Sequence, residues 1–122
     1  MADAAIRDYK DLAVWQRSMA LVGAAYALAA GFPTAERFGL AAQMCRAAVS
    51  VPSNIAEGWG RQATGEYRHH CSIARGSLLE FETLLLLALQ QGSAQQAAIG
   101  PLLGEVEELS RMLATLVGRL RR

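Results

Sequence analysis

Residues 50–61 read SVPSNIAEGWGR, and the fold turns on whether this stretch breaks a helix or lies within one. Pro52 has no N–H and its ring crowds the carbonyl of Ala48, so an interior helical position there costs about 3 kcal/mol and bends the chain. Yet the apolar residues keep helical phase across it. Phe38, Ala41, Cys45, Ala48, Pro52, Ile55 and Trp59 follow one another at alternating spacings of three and four, the period of an amphipathic helix. The helix is therefore expected to bend near Pro52 and resume. Ser50 and Ser53 are placed to bond the backbone groups freed at the bend. Gly58 and Gly60 are expected to end the helix in a left-handed cap, with Trp59 closing the end of the core.

The rest of the chain repeats the pattern. Leu12, Trp15, Met19, Val22, Tyr26 and Ala29 form one seam before Gly31 and Pro33. Thr34 is placed to cap the helix that follows. Thr64 is placed to cap a third helix whose seam is Tyr67, Cys71, Ala74, Leu78, Phe81, Leu85 and Ala88. Ser93 and Gln96 have capping-box spacing for a fourth, with Leu102, Val106, Leu109, Leu113, Leu116 and Leu120 as its seam. Gly100-Pro101 is the place where that helix would kink or break. No stretch alternates with period two. The expected architecture is all-α: an antiparallel up-down-up-down four-helix bundle, its second helix kinked near Pro52, in one domain over residues 1–122. Residues 1–10 are expected to be only partly ordered.

Apolar residues exceed what one bundle needs. Val14, Leu21 and Leu28 make a second stripe on the first helix, and Leu79, Leu84, Leu86, Leu87 and Leu89 lie off the seam of the third. That surplus points to packing between subunits; the alternative is a wide core face of a single bundle.

Composition sets the classes of function. With 52% hydrophobic residues, 19% charged residues and a net charge of +1, the chain lacks the global basic signature of a dedicated nucleic-acid binder. Lys10 is the sole lysine, and residues 37–75 carry five arginines against Glu57 and Glu66, so the middle of the chain is the basic part. Two cysteines, Cys45 and Cys71, do not make a disulfide framework. The polar N-terminus and the short LLLLAL run at 84–89 point to a cytoplasmic protein without a membrane span.

No reaction chemistry assembles. GWGR lacks the longer glycine-rich turn and the Lys-Ser/Thr of a phosphate loop, and no strand precedes it. Glu66 and His69 have di-iron spacing, but His70 is the only other histidine, so the ligand set cannot be completed. His69, His70 and Cys71 point about 100° apart and cannot converge on one zinc. Glu80 and Glu82 face different directions. Cys71 falls on the core seam, where a cysteine behaves as a small hydrophobe. The chain is read as non-enzymatic, with no catalytic residue, metal or cofactor.

Two sets of polar residues remain. Arg46, Ser50, Asn54 and Glu57 lie on one face of the second helix, opposite Arg75, Ser77 and Glu80 of the third, as a structural polar network. Arg61, Arg68, His69 and His70 form a rim around the second turn and are the candidate nucleic-acid contacts; the competing reading of the rim is solvated charge and local ion pairs such as Glu66 with His70.

The stretches YKDLAVWQRS (9–18), FPTAERFGLAAQMCRAAVSVPSNIAEGWGR (32–61) and SIARGSLLEFETLL (72–85) resemble the signature blocks of bacterial 23S rRNA intervening-sequence proteins, with LSRMLATLVGRL (109–120) extending the match. That family is similar in fold to the accessory variability protein of diversity-generating retroelements. The resemblance implies a homopentamer of bundles around a central channel. Its implied partners are RNA or DNA, or a reverse transcriptase or other ribonucleoprotein component. One lysine and a near-neutral charge set this chain apart from more basic relatives. Two functions follow: an oligomeric nucleic-acid or ribonucleoprotein accessory, or a purely protein-binding homo-oligomer.

Overall fold

The computed structural model describes residues 6–121. Four helices fill it: α1 (Ala13–Ala30), α2 (Leu40–Gly60), α3 (Thr64–Gln90) and α4 (Gln96–Leu120), with no strand among the described residues. α2 packs on α1 and α3, and α4 packs on α3 and α1, while the Cα atoms of the diagonal pairs stay more than 8 Å apart. Ser50 meets Ser77 and Asn54 meets His70, so α2 and α3 run in opposite senses. Arg68 meets Leu120 and Arg75 meets Ser110, which places α3 and α4 likewise. The result is a four-helix bundle.

Pro52 is buried inside one unbroken helix. Near it, the Ser53 hydroxyl donates to the carbonyl of Val49 at 2.8 Å and the Asn54 amide to that of Ser50 at 2.9 Å. Pro101 likewise lies within an unbroken α4.

The helix ends differ from the sequence expectation. Thr34 lies in a short 3-10 turn, Thr34–Glu36, and α2 starts only after Gly39. Neither Thr64 nor Ser93 caps a helix: α3 follows Ala63 and α4 follows Gln95, both without a side-chain cap. Gly58 and Gly60 are helical, and the left-handed residue of the turn is Gln62, at φ 55°. Of the N-terminal segment, residues 1–5 lie outside the described residues. Tyr9–Asp11 forms a 3-10 turn closed by a capping box, in which the Asp8 carboxylate accepts from the backbone N–H of Lys10 at 2.7 Å and that of Asp11 from Asp8 at 3.2 Å.

The core seams of α3 and α4 follow the sequence reading closely. Cys71, Ala74, Leu78, Phe81, Leu85 and Ala88 are buried, with Leu84 added, and so are Leu102, Val106, Leu109 and Leu113; Tyr67, Leu116 and Leu120 are only half-buried, and Val117 is buried at the end of α4 instead. On α2 the buried face centres on Met44, Ala48, Val51 and Ile55, whereas Phe38 is exposed and Cys45 half-buried. On α1 the stripes exchange roles. Val14, Ser18, Leu21 and Ala25 are buried, while Met19 and Tyr26 are 46% and 55% exposed. The core needs small residues where α1 meets its neighbours, and Ser18 and Ala25 supply them; Ser18 hides its hydroxyl on the carbonyl of Trp15 at 2.8 Å.

Candidate functional site

The polar residues of α2 and α3 meet because a glycine lets the helices approach. Gly58 is buried, and a Cβ built there would lie 2.6 Å from Cβ of His70 and 3.3 Å from the carbonyl oxygen of Tyr67. The close approach sets the His70 ring against Asn54, with Nδ1 to Oδ1 at 3.2 Å. The amide nitrogen of Asn54 donates to the carbonyl and hydroxyl of Ser50, at 2.9 and 3.0 Å, and the hydroxyls of Ser50 and Ser77 lie 2.8 Å apart. This orientation of the amide turns its oxygen toward His70, so Nδ1 of His70 is the donor. A chain of four side chains, His70, Asn54, Ser50 and Ser77, thus crosses the interface.

The other residues assigned to that network lie elsewhere. Glu57 touches it only at 4.0 Å from His70. Arg75 turns to α4, its Nε donating to the Ser110 hydroxyl at 3.2 Å. Arg46 and Glu80 are exposed, and their side chains make no hydrogen bond or ion pair among the described residues. Asn54→Ala is expected to cost about 1 kcal/mol, because it strands groups that are half-buried and still within reach of water. Urea unfolding at fixed protein concentration is the check; an unchanged midpoint would mean that the four-residue chain contributes nothing to stability.

The rim around the α2–α3 turn is largely neutralised from within. Arg61 donates to Glu57 at 2.9 Å and to Glu66 at 3.3 Å, and its hydrogen bond holds the Glu57 carboxyl below its ordinary pKa. Glu66 is thus paired with Arg61, and His70 with Asn54, in place of the Glu66–His70 pair read from the sequence. Arg68 donates to the terminal carbonyl of Leu120 at 3.2 Å. His69 is exposed. Trp59 is half-buried and packs edge-on against Tyr67, ring centres 5.8 Å apart.

One ion-pair cluster escaped the sequence reading. Arg17 of α1 reaches Glu105 at 3.1 Å and Glu108 at 2.6 Å on α4. Only the pairing of first and last helices brings these residues together.

Two titratable groups in the core are held neutral. Burial pushes the Cys71 thiol up to about 11, so it stays protonated and unreactive at neutral pH. Burial, with Cys71 as a second cause, pushes Tyr67 up to about 12. No three His, Cys, Asp or Glu side chains among the described residues are grouped to hold a metal ion. No helix among them is long and apolar enough to cross a membrane.

A protein-family model described as 23S rRNA-intervening sequence protein matches residues 10–115. The chain belongs to that family. The matched span includes all of α1, α2 and α3 and most of α4, so this intervening-sequence family member carries both the network and the rim inside the family region. No curated protein matches the chain.

Proposed function

We propose that this member of the intervening-sequence family is a non-enzymatic, oligomeric four-helix scaffold that accompanies a nucleic acid or a ribonucleoprotein. The observation that carries the oligomer is the apolar stripe left over on α1. Trp15, Met19 and Val22 border one surface groove with Val49 and Pro52 of α2, and Tyr26 borders the next with Val49 and Cys45. At the opposite corner, α3 exposes Leu86 and Leu87. Two different apolar faces on one subunit favour head-to-tail contacts, which close into a ring when the rotation permits. Five is the number of subunits the resemblance implies.

The nucleic-acid half of the reading draws on the family description, which names an rRNA, and on the arginines outside ion pairs. A ring repeats each such arginine around an axis, so a chain of net charge +1 can still present a local polycation. The second reading, a homo-oligomer that binds only protein, is favoured by the internal pairing of Arg61. Binding of a labelled structured RNA by the intact protein separates the two. Affinity is expected to fall steeply with added salt, because phosphate contacts release counterions. Absence of binding at low salt would leave only the protein-binding scaffold.

A further inference from the structure

Between the first half of α3 and the end of α4 runs a groove of about 350 Å³ that the rim residues do not line. Ser72, Gly76, Ala114 and Gly118 leave it wide, and Arg75 and Arg121 project beside it. A Cβ added at Gly76 or Gly118 would meet nothing within 4 Å. Its arginines differ from those of the rim. Arg75 is anchored through Nε to Ser110, a residue only 8% exposed. Its two terminal nitrogens have no partner among the described residues, and neither Arg75 nor Arg121 lies in an ion pair there. Arg68, bonded to the last turn of α4, extends the same positive side.

This is a guanidinium already held by its inner nitrogen with its fork free. Such a fork matches phosphate oxygens bidentately, and holding it in place beforehand reduces the ordering cost of binding. The dipole of α4 accounts for a cation at Arg121; it does not account for Arg75, which stands in the interior of α3. At the rim, by contrast, Glu57 and Glu66 would repel a phosphate that approached Arg61. We propose that the α3–α4 groove, through Arg75 and Arg121, is the place where this protein grips a phosphodiester backbone. The choice of a nucleic acid as occupant rests on the function proposed above; the groove as a phosphate site rests on its own geometry.

The test uses the full chain, a labelled single-stranded oligoribonucleotide, and inorganic tripolyphosphate. The double variant Arg75→Gln/Arg121→Gln should bind the oligonucleotide at least about tenfold more weakly at low salt. Its log–log salt slope should be shallower by about 1.4, two contacts at about 0.7 each. Arg61→Gln should bind no more weakly than the unmodified protein. Gly118→Glu, for which there is room, adds a carboxylate without touching an arginine and should weaken binding as well. Oligonucleotide binding that is unchanged in both the double variant and Gly118→Glu overturns the groove while leaving the nucleic-acid reading intact. If the oligonucleotide does not bind, tripolyphosphate decides. Shifts in the backbone amides of Ser72, Gly76 and Gly118, lost in the double variant, uphold the phosphate site and remove the nucleic acid. No shift of those amides overturns the groove.

Discussion

Gly58→Val is expected to destabilise the protein by about 3 kcal/mol, although valine is a better helix former than glycine. Propensity favours the change by a few tenths of a kcal/mol, and packing opposes it with far more. The new Cβ alone would sit 2.6 Å from Cβ of His70, an atom fixed to the backbone of α3. The helices must separate or bend to admit it, and the core around Ile55 and Cys71, both fully buried, would loosen with them. Separation also lengthens the His70–Asn54 contact, so the polar chain is lost as a secondary effect. The control is Gly76→Ala, where the added methyl group meets open space; there propensity acts alone and should stabilise by up to about 1 kcal/mol. Chemical denaturation of both variants at one protein concentration is the measurement. A Gly58→Val protein as stable as its parent would mean that α2 and α3 have room to spare.

The second large effect concerns assembly. Leu86→Glu/Leu87→Glu places two charges on the α3 face, where these leucines are 49% and 38% exposed. Met19→Glu/Tyr26→Glu does the same to the α1 stripe. If the two faces meet head to tail, each double variant loses one half of the contact. Charges at the centre of an interface cost about 3 kcal/mol or more, over a hundredfold in Kd. Each variant alone is therefore expected to run as a monomer in light scattering. Mixed together, they should form a heterodimer and nothing larger, since one intact α1 face still meets one intact α3 face. An unmodified protein of monomer mass at micromolar concentration would remove the ring altogether. Variants that assemble as the parent does would place the interface elsewhere.

Legibility in the sequence followed side-chain size and distance along the chain. The α3 seam could be read because Leu78, Phe81 and Leu85 are large, apolar and regularly spaced. The α1 seam could not. Trp15, Met19 and Tyr26 are far larger than Ser18 and Ala25 and bring more apolar surface, yet a close helix contact selects the small residues. The caps cannot be read from Thr34, Thr64 and Ser93, which have the chemistry for it, because the residues that precede α2, α3 and α4 are Gly39, Ala63 and Gln95, none of which caps through its side chain. Of the network, Ser50, Asn54 and Ser77 were legible as polar residues beside the seams. The place of His70 in it was not, because it depends on what is missing at Gly58. Arg17 with Glu105 and Glu108 lies beyond reading for a simpler reason: the partners are 88 and 91 positions apart.

Only Arg61, Gln62 and Ala63 separate α2 from α3, against residues 91–95 between α3 and α4 and residues 31–39 between α1 and α2. The entropy lost on closing a loop grows with its length, so the central hairpin has the least to lose on assembly. During synthesis its two helices leave the ribosome in succession, and α1 by then has waited longest without the full surface it packs against. The order of folding is thus expected to start from the middle: the α2–α3 hairpin first, α1 against the exposed side of α2, and α4 last, closing the bundle and drawing Glu105 and Glu108 onto Arg17.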